Sequence, residues 1–142
     1  MLVKITEELL ARIRAHGEET YPEECGGLLV GPSRGLVTDL VPLANQREDG
    51  SRHNRVALDP LQIARADREA SRRGLGVWGF YHSHPDVAPI PSAFDLEHAA
   101  FAEWSYVIVS VFEGKAHEVR CWALVEDRSE FVPEEITTCP PS

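Results

Sequence analysis

The 142 residues, 43% of them apolar, suffice for one hydrophobic core, because single domains run from about 50 to 250 residues. Fourteen basic against twenty-three acidic side chains leave a formal charge of −9, a field that repels phosphate and so disfavours nucleic-acid and anionic-membrane binding. There is no run of about 20 apolar residues and no apolar signal block behind Met1, so the chain reads as cytoplasmic, with Cys25, Cys121 and Cys139 too scattered for a disulfide framework or a thiolate zinc site.

Leu9, Leu10 and Ile13 recur at helical spacing over residues 6–16, with Thr6 placed to cap the helix and Gly17 to stop it. Residues 27–30 and 36–43, on either side of Gly31-Pro32-Ser33-Arg34-Gly35, read as a β-hairpin, and Glu24 stands where a loop enters its first strand. Residues 45–54 are polar and loop-like, and 55–58 read as a short strand ahead of Asp59-Pro60. A second helix is expected over 61–73, with Ile63, Ala66 and Ala70 on one face and Gly74 as its stop.

Residues 77–84 are aromatic-rich and too short for a helix between Gly76 and Pro85, which predicts a strand. A loop with Pro85, Pro89 and Pro91 leads to Ser92, which opens a third helix extending to about Ala102. Residues 106–112 and 118–125 form a second hairpin through Glu113-Gly114-Lys115. Residues 137–142 are expected to be a flexible tail behind a domain spanning 1–136. The sum is a mixed α/β single domain, a central mixed sheet flanked by helices.

Side chains alternate along a strand, so His82 and His84 point the same way with Cα atoms about 6.5 to 7 Å apart, and their imidazoles can converge on one metal. Trp78 and Phe80 are expected beneath them, with Val77, Tyr81 and Ser83 on the other face. Alone, H-x-H is also the pattern of ordinary strand histidines, and Ser92-Ala93-Phe94-Asp95 is also a helix capping box. The joint spacing changes the balance: His-x-His, seven residues, then Ser-x-x-Asp brings two neutral nitrogens and a carboxylate oxygen together. That is the donor set of a catalytic zinc site with one open water position.

The run from His82 to Asp95 resembles the signature of the JAMM (MPN+) metallopeptidases, H-x-H, seven residues, S-x-x-D. The upstream Pro22-Glu23-Glu24-Cys25-Gly26-Gly27-Leu28-Leu29 is similar to the family's glutamate loop, and counting back from Gly27 selects Glu24 over Glu23. The order of elements matches from the first helix to the strand at 106–110. The resemblance implies a single MPN/JAMM-like domain of the prokaryotic stand-alone type, with zinc (Zn2+) held by His82, His84 and Asp95. It implies Glu24 as general base toward a zinc-activated water and Ser92 as hydrogen-bond donor to the oxyanion.

The activity so implied is hydrolysis of a peptide or isopeptide bond after the C-terminal Gly-Gly of a ubiquitin-like modifier or sulfur-carrier protein. A non-catalytic MPN scaffold or binding module is the alternative, though all five key positions are filled. A zinc deaminase expects H-x-E and then P-C-x-x-C; His16-Gly17-Glu18 fits the first half and nothing fits the second. His53 and His98 read as surface histidines, Cys25 as a small buried residue beside Glu24, and Asp86 and Glu97 as surface charges.

Overall fold

The computed structural model describes residues 2–44, 59–99 and 101–139; the loop expected at 45–54 with His53, and the strand expected at 55–58, lie outside them. Among the described residues, seven strands and three helices follow in the order β1 (Leu2–Thr6), α1 (Glu7–Thr20), β2 (Gly26–Gly31), β3 (Asp39–Leu43), α2 (Pro60–Ser71), β4 (Gly76–Pro85), α3 (Ala93–Glu97), β5 (Ser105–Phe112), β6 (Lys115–Leu124) and β7 (Phe131–Cys139). They form one mixed sheet in the order β1-β7-β6-β5-β4-β2-β3, parallel at β1/β7 and β4/β5 and antiparallel elsewhere. The sheet curls until its two ends meet: Lys4 N–H donates to the Gly35 carbonyl at 2.7 Å, and Val37 N–H donates to the Lys4 carbonyl at 2.9 Å.

Alternation along the strands feeds two cores. Val107, Val109 and Val111 of β5 pack with Leu9, Leu10 and Ile13 of α1 and Val3 and Ile5 of β1, whereas Tyr106 and Ile108 pack with Leu28, Phe80, Trp122 and Ala70 of α2. Burying side chains of this size contributes about 1.5 to 3 kcal/mol each, so the central strands are held from both faces. The second hairpin turns through Glu113 and Gly114, both at positive φ (51° and 83°), as a tight two-residue turn requires.

Four expectations are corrected. Thr6 does cap α1, accepting from Leu9 N–H at 3.1 Å, but Gly17 does not end the helix, which runs on to Thr20. A Cβ at Gly17 would lie 2.9 Å from Val111 Cγ2 and 3.3 Å from Ser83 Cβ, so this glycine serves close helix-to-sheet packing. The third helix stops at Glu97, well short of Ala102. The β2/β4 pairing slips by one residue between Leu29 and Val30, so Val77 joins Phe80 in one core and the strict alternation expected for Trp78 and Val77 fails at that bulge. The chain past residue 136 is strand as far as Cys139, paired with β1 through Lys4↔Thr137, Ile5↔Thr138 and Thr6↔Cys139.

Candidate metal centre

The register across β4 and β5, His82↔Ile108 and His84↔Ser110, sets both histidines on one face of the sheet near the carboxyl end of β4. After Pro85 the chain reverses. Asp86, in the left-handed region at φ 59°, donates its N–H to the Val111 carbonyl at 2.7 Å, and its carboxylate accepts from Glu113 N–H at 2.9 Å and from the Tyr21 hydroxyl at 2.7 Å. The returning loop presents the Ala88 carbonyl to His84 Nδ1 at 2.9 Å. With Nδ1–H committed there, a neutral His84 directs a lone pair from Nε2, the usual way a ligand imidazole is oriented.

The loop ends at Ser92, the N-cap of α3. Ser92 Oγ accepts from Asp95 N–H at 3.1 Å, and Asp95 Oδ2 accepts from Ser92 N–H at 2.8 Å, which closes a capping box. The same carboxylate faces the histidines: Oδ1 lies 3.2 Å from His82 Nε2 and Oδ2 lies 3.1 Å from His84 Nε2, while the two Nε2 atoms are 3.2 Å apart. Both imidazoles are buried and Asp95 is largely so. Burial by itself pushes the Asp95 carboxyl up; the adjacent His82 and His84 imidazoles and the Ser92 amide outweigh it and hold the group well below the usual carboxylate range.

Two nitrogen lone pairs and a carboxylate facing one another at 3.1–3.2 Å repel unless a cation lies among them. The spacing also suits zinc, since tetrahedral N and O ligands at 2.0–2.1 Å from the ion stand about 3.3 Å apart. Among the described residues this is the one group of three ligand side chains close enough to share an ion. The residues therefore fit the metal. Phe80 stacks on His82 with ring centroids 5.2 Å apart and walls the inner side.

Glu24 arrives from the segment that leads into the neighbouring strand, β2. Cys25 N–H donates to Ser83 Oγ at 2.8 Å and Ser83 N–H to the Cys25 carbonyl at 3.2 Å, extending the Gly26↔His82 register by one residue. Glu24, the residue before Cys25, is 6% exposed. Ser92 is exposed, and its hydroxyl proton is not used by the cap. The fold thus brings His82, His84 and Asp95 together, with Ser92 capping the helix that carries Asp95 and Glu24 in the segment that leads into β2.

His98 lies outside the ligand group; its ring stacks on Phe94 at 3.9 Å and Nδ1 donates to the Phe94 carbonyl at 3.0 Å. Cys25 is a buried small residue whose thiol burial pushes up to about 12, against any role as a thiolate. Asp86 anchors the loop and is not the acceptor of a ligand histidine. The acceptor is the Ala88 carbonyl, a backbone group that residue identity does not advertise.

A family model described as prokaryotic homologs of the JAB domain matches residues 6–125. The chain belongs to this family. It is 34% identical to the desampylase of Haloferax volcanii over 107 residues, 73% of this chain and 74% of that one. It is 26% identical to the CysO-cysteine peptidase of Mycobacterium tuberculosis over 123 residues, 86% of this chain and 82% of that one. The solution structure of a protein from Salinibacter ruber superimposes with a TM-score of 0.74 at 42% identity, over 98% of this chain and 93% of that one. The matched span includes both the Glu24 loop and the run from His82 to Asp95.

Proposed function

We propose that this JAMM-type peptidase holds a zinc ion with His82, His84 and Asp95 and hydrolyses the bond that follows the C-terminal Gly-Gly of a ubiquitin-like modifier or sulfur-carrier protein. The observation that carries the reading is the convergence of two buried imidazole nitrogens and the largely buried Asp95 carboxylate at 3.1–3.2 Å. The likeness to a desampylase and to a CysO-cysteine peptidase supports the substrate class. A tail bound in extended form by its backbone suits glycine at the cleavage point, where no side chain need be housed.

Zinc bound at such a site lowers the pKa of its water to about 7 and polarises a carbonyl. The remaining work falls to the chain. Glu24, itself buried, takes the proton of the attacking water and returns it to the leaving amine, the two-way task of a positioned carboxylate. Ser92, with its hydroxyl oxygen held by Asp95 N–H, aims the free proton at the charge that grows on the carbonyl oxygen. The Ala88 carbonyl holds the His84 imidazole in place. No helix of the described residues is long and apolar enough to cross a membrane, and the cytoplasmic setting expected from the sequence is part of the same proposal.

The test is hydrolysis of a carrier protein extended beyond Gly-Gly, by wild type and by Glu24→Gln. The wild type should lose activity to a chelator and regain it with zinc, and Glu24→Gln should retain about one zinc per chain while losing turnover. An active Glu24→Gln enzyme overturns the base assignment, and chelator-resistant hydrolysis overturns the metal.

A further inference from the structure

Between His84 and Ser92 the chain folds back over the sheet, and the site depends on where it lands. Phe80, Tyr106 and Trp122 form one row across β4, β5 and β6, in register on the face that carries the histidines. From that row the buried Trp122 indole Nε1–H donates to the Pro89 carbonyl at 3.0 Å. The neighbouring Ala88 carbonyl accepts from His84 Nδ1 at 2.9 Å and from Ile90 N–H at 2.8 Å. The loop is therefore pinned twice: at Asp86 to the β5–β6 hairpin and Tyr21, and at Pro89 to β6. Val87 and Ile90 on it are exposed, so little apolar burial of their own holds those stretches down.

We propose that Trp122 is a positioning residue for the metal site: its indole N–H fixes the loop whose Ala88 carbonyl orients His84 and whose far end delivers Asp95. The inference rests on the metal reading above. The Trp122 indole N–H bonds none of the three ligand residues; it acts through one backbone carbonyl, on a loop that carries the partner of one ligand and leads within six residues to another. Without that donor the Pro89 carbonyl, buried under the indole, loses its partner, and the loop gains freedom to draw Asp95 away from the histidine pair. A ligand set that must be reassembled for each ion binds it more weakly, as partners beyond the ligands show when their loss costs about 10- to 100-fold in affinity.

The test is zinc affinity by competition with a chromophoric chelator, read without reference to catalysis. Trp122→Phe keeps an aromatic ring in the row and removes the donor along with one of the two fused rings; zinc binding should weaken about tenfold, within the range for such partners. Pro89→Gly, which keeps the donor and its carbonyl but frees the loop backbone, should weaken binding in the same direction. The double variant should lose less than the two losses combined, because both act through one loop. A folded Trp122→Phe protein that binds zinc as tightly as wild type overturns the inference; if that variant does not fold, unchanged affinity with benzothienylalanine in place of Trp122, which keeps the bicyclic shape and lacks the N–H, does so. Wild-type protein that binds no zinc overturns the metal reading and this inference with it, so the two failures are distinct.

Discussion

The Asp95 carboxylate serves two structures at once, and a pair of substitutions separates them. Oδ2 accepts from the Ser92 amide at 2.8 Å and also stands 3.1 Å from His84 Nε2. Asp95→Asn is nearly isosteric: its amide oxygen can still accept from Ser92 N–H, so the capping box survives and only a small charge-to-dipole contribution, about 0.3–1 kcal/mol, is lost. The negative ligand is gone, and since loss of partners beyond the ligands already costs about 10- to 100-fold, zinc should weaken by more than about 100-fold, or roughly 2.7 kcal/mol. Ser92→Ala does the reverse. It removes the acceptor for Asp95 N–H, worth about 1 kcal/mol of stability, and the proposed oxyanion donor, worth about 100- to 1000-fold in turnover, while leaving all three ligands. Chelator competition, thermal unfolding of the apoprotein and steady-state hydrolysis read the three quantities separately. Asp95→Asn that keeps wild-type zinc affinity removes Asp95 from the ligand set, and Ser92→Ala at full turnover removes Ser92 from the chemistry.

Two further outcomes follow from packing and burial. Cys25 and Cys121 have thiols pushed up by burial, Cys25 to about 12, and burial raises the Tyr81 hydroxyl as well. These acids stay protonated in the folded chain after their unfolded counterparts ionise, so their contribution is intact below about pH 9 and is lost as pH rises from there toward 12, by up to about 1.4 kcal/mol per pH unit for each group. Unfolding midpoints flat across that range would contradict it, as would fast alkylation of Cys25 in the native protein at pH 8. Gly17→Ala adds helix propensity of about 1 kcal/mol, but its Cβ meets Val111 Cγ2 at 2.9 Å, and overpacking of a filled core costs about 1 to 3 kcal/mol. The net should be a lowered melting temperature; a raised one would mean the helix shifts freely over β5.

The helices and the central strands were legible because each follows one period over its length. The α1 run 9, 10 and 13 meets the sheet as one face, and β5 alternates between the two cores. The edges were not. In β1 the alternation Leu2 exposed, Val3 and Ile5 buried is only two turns of the pattern long, and it abuts a helix pattern that absorbs it. β7, with Pro133, Glu134 and Glu135, carries too few apolar residues to signal a strand. Glu134 is nevertheless buried, because Arg34, Ser105 and Cys121 all reach its carboxylate, a set of partners far apart in sequence. Gly17 misled for a related reason: what it avoids is a valine 94 residues away. At the site, His82, His84 and Asp95 were readable from spacing, whereas the Ala88 carbonyl and the Trp122 donor depend on where a loop lands.

The landing itself follows from topology. Parallel strands cannot be joined by a tight turn; they need a crossover of about a dozen residues or more, and β4 and β5 are the parallel pair in the middle of this sheet. The chain leaving β4 at Pro85 must therefore climb over one face before it can re-enter at Ser105. A ligand pair at the carboxyl end of β4 lies under that climb, so the crossover supplies the third ligand at the first capped turn it makes. That is also why the capping reading of Ser92-x-x-Asp95 and the proposed metal reading are compatible. The cap fixes Asp95 in the rotamer that the histidines require, and the carboxylate that completes the cap is free on its other side to complete the site. A carboxylate on an uncapped loop would have to be ordered each time an ion bound; here folding the first turn of α3 has already ordered it.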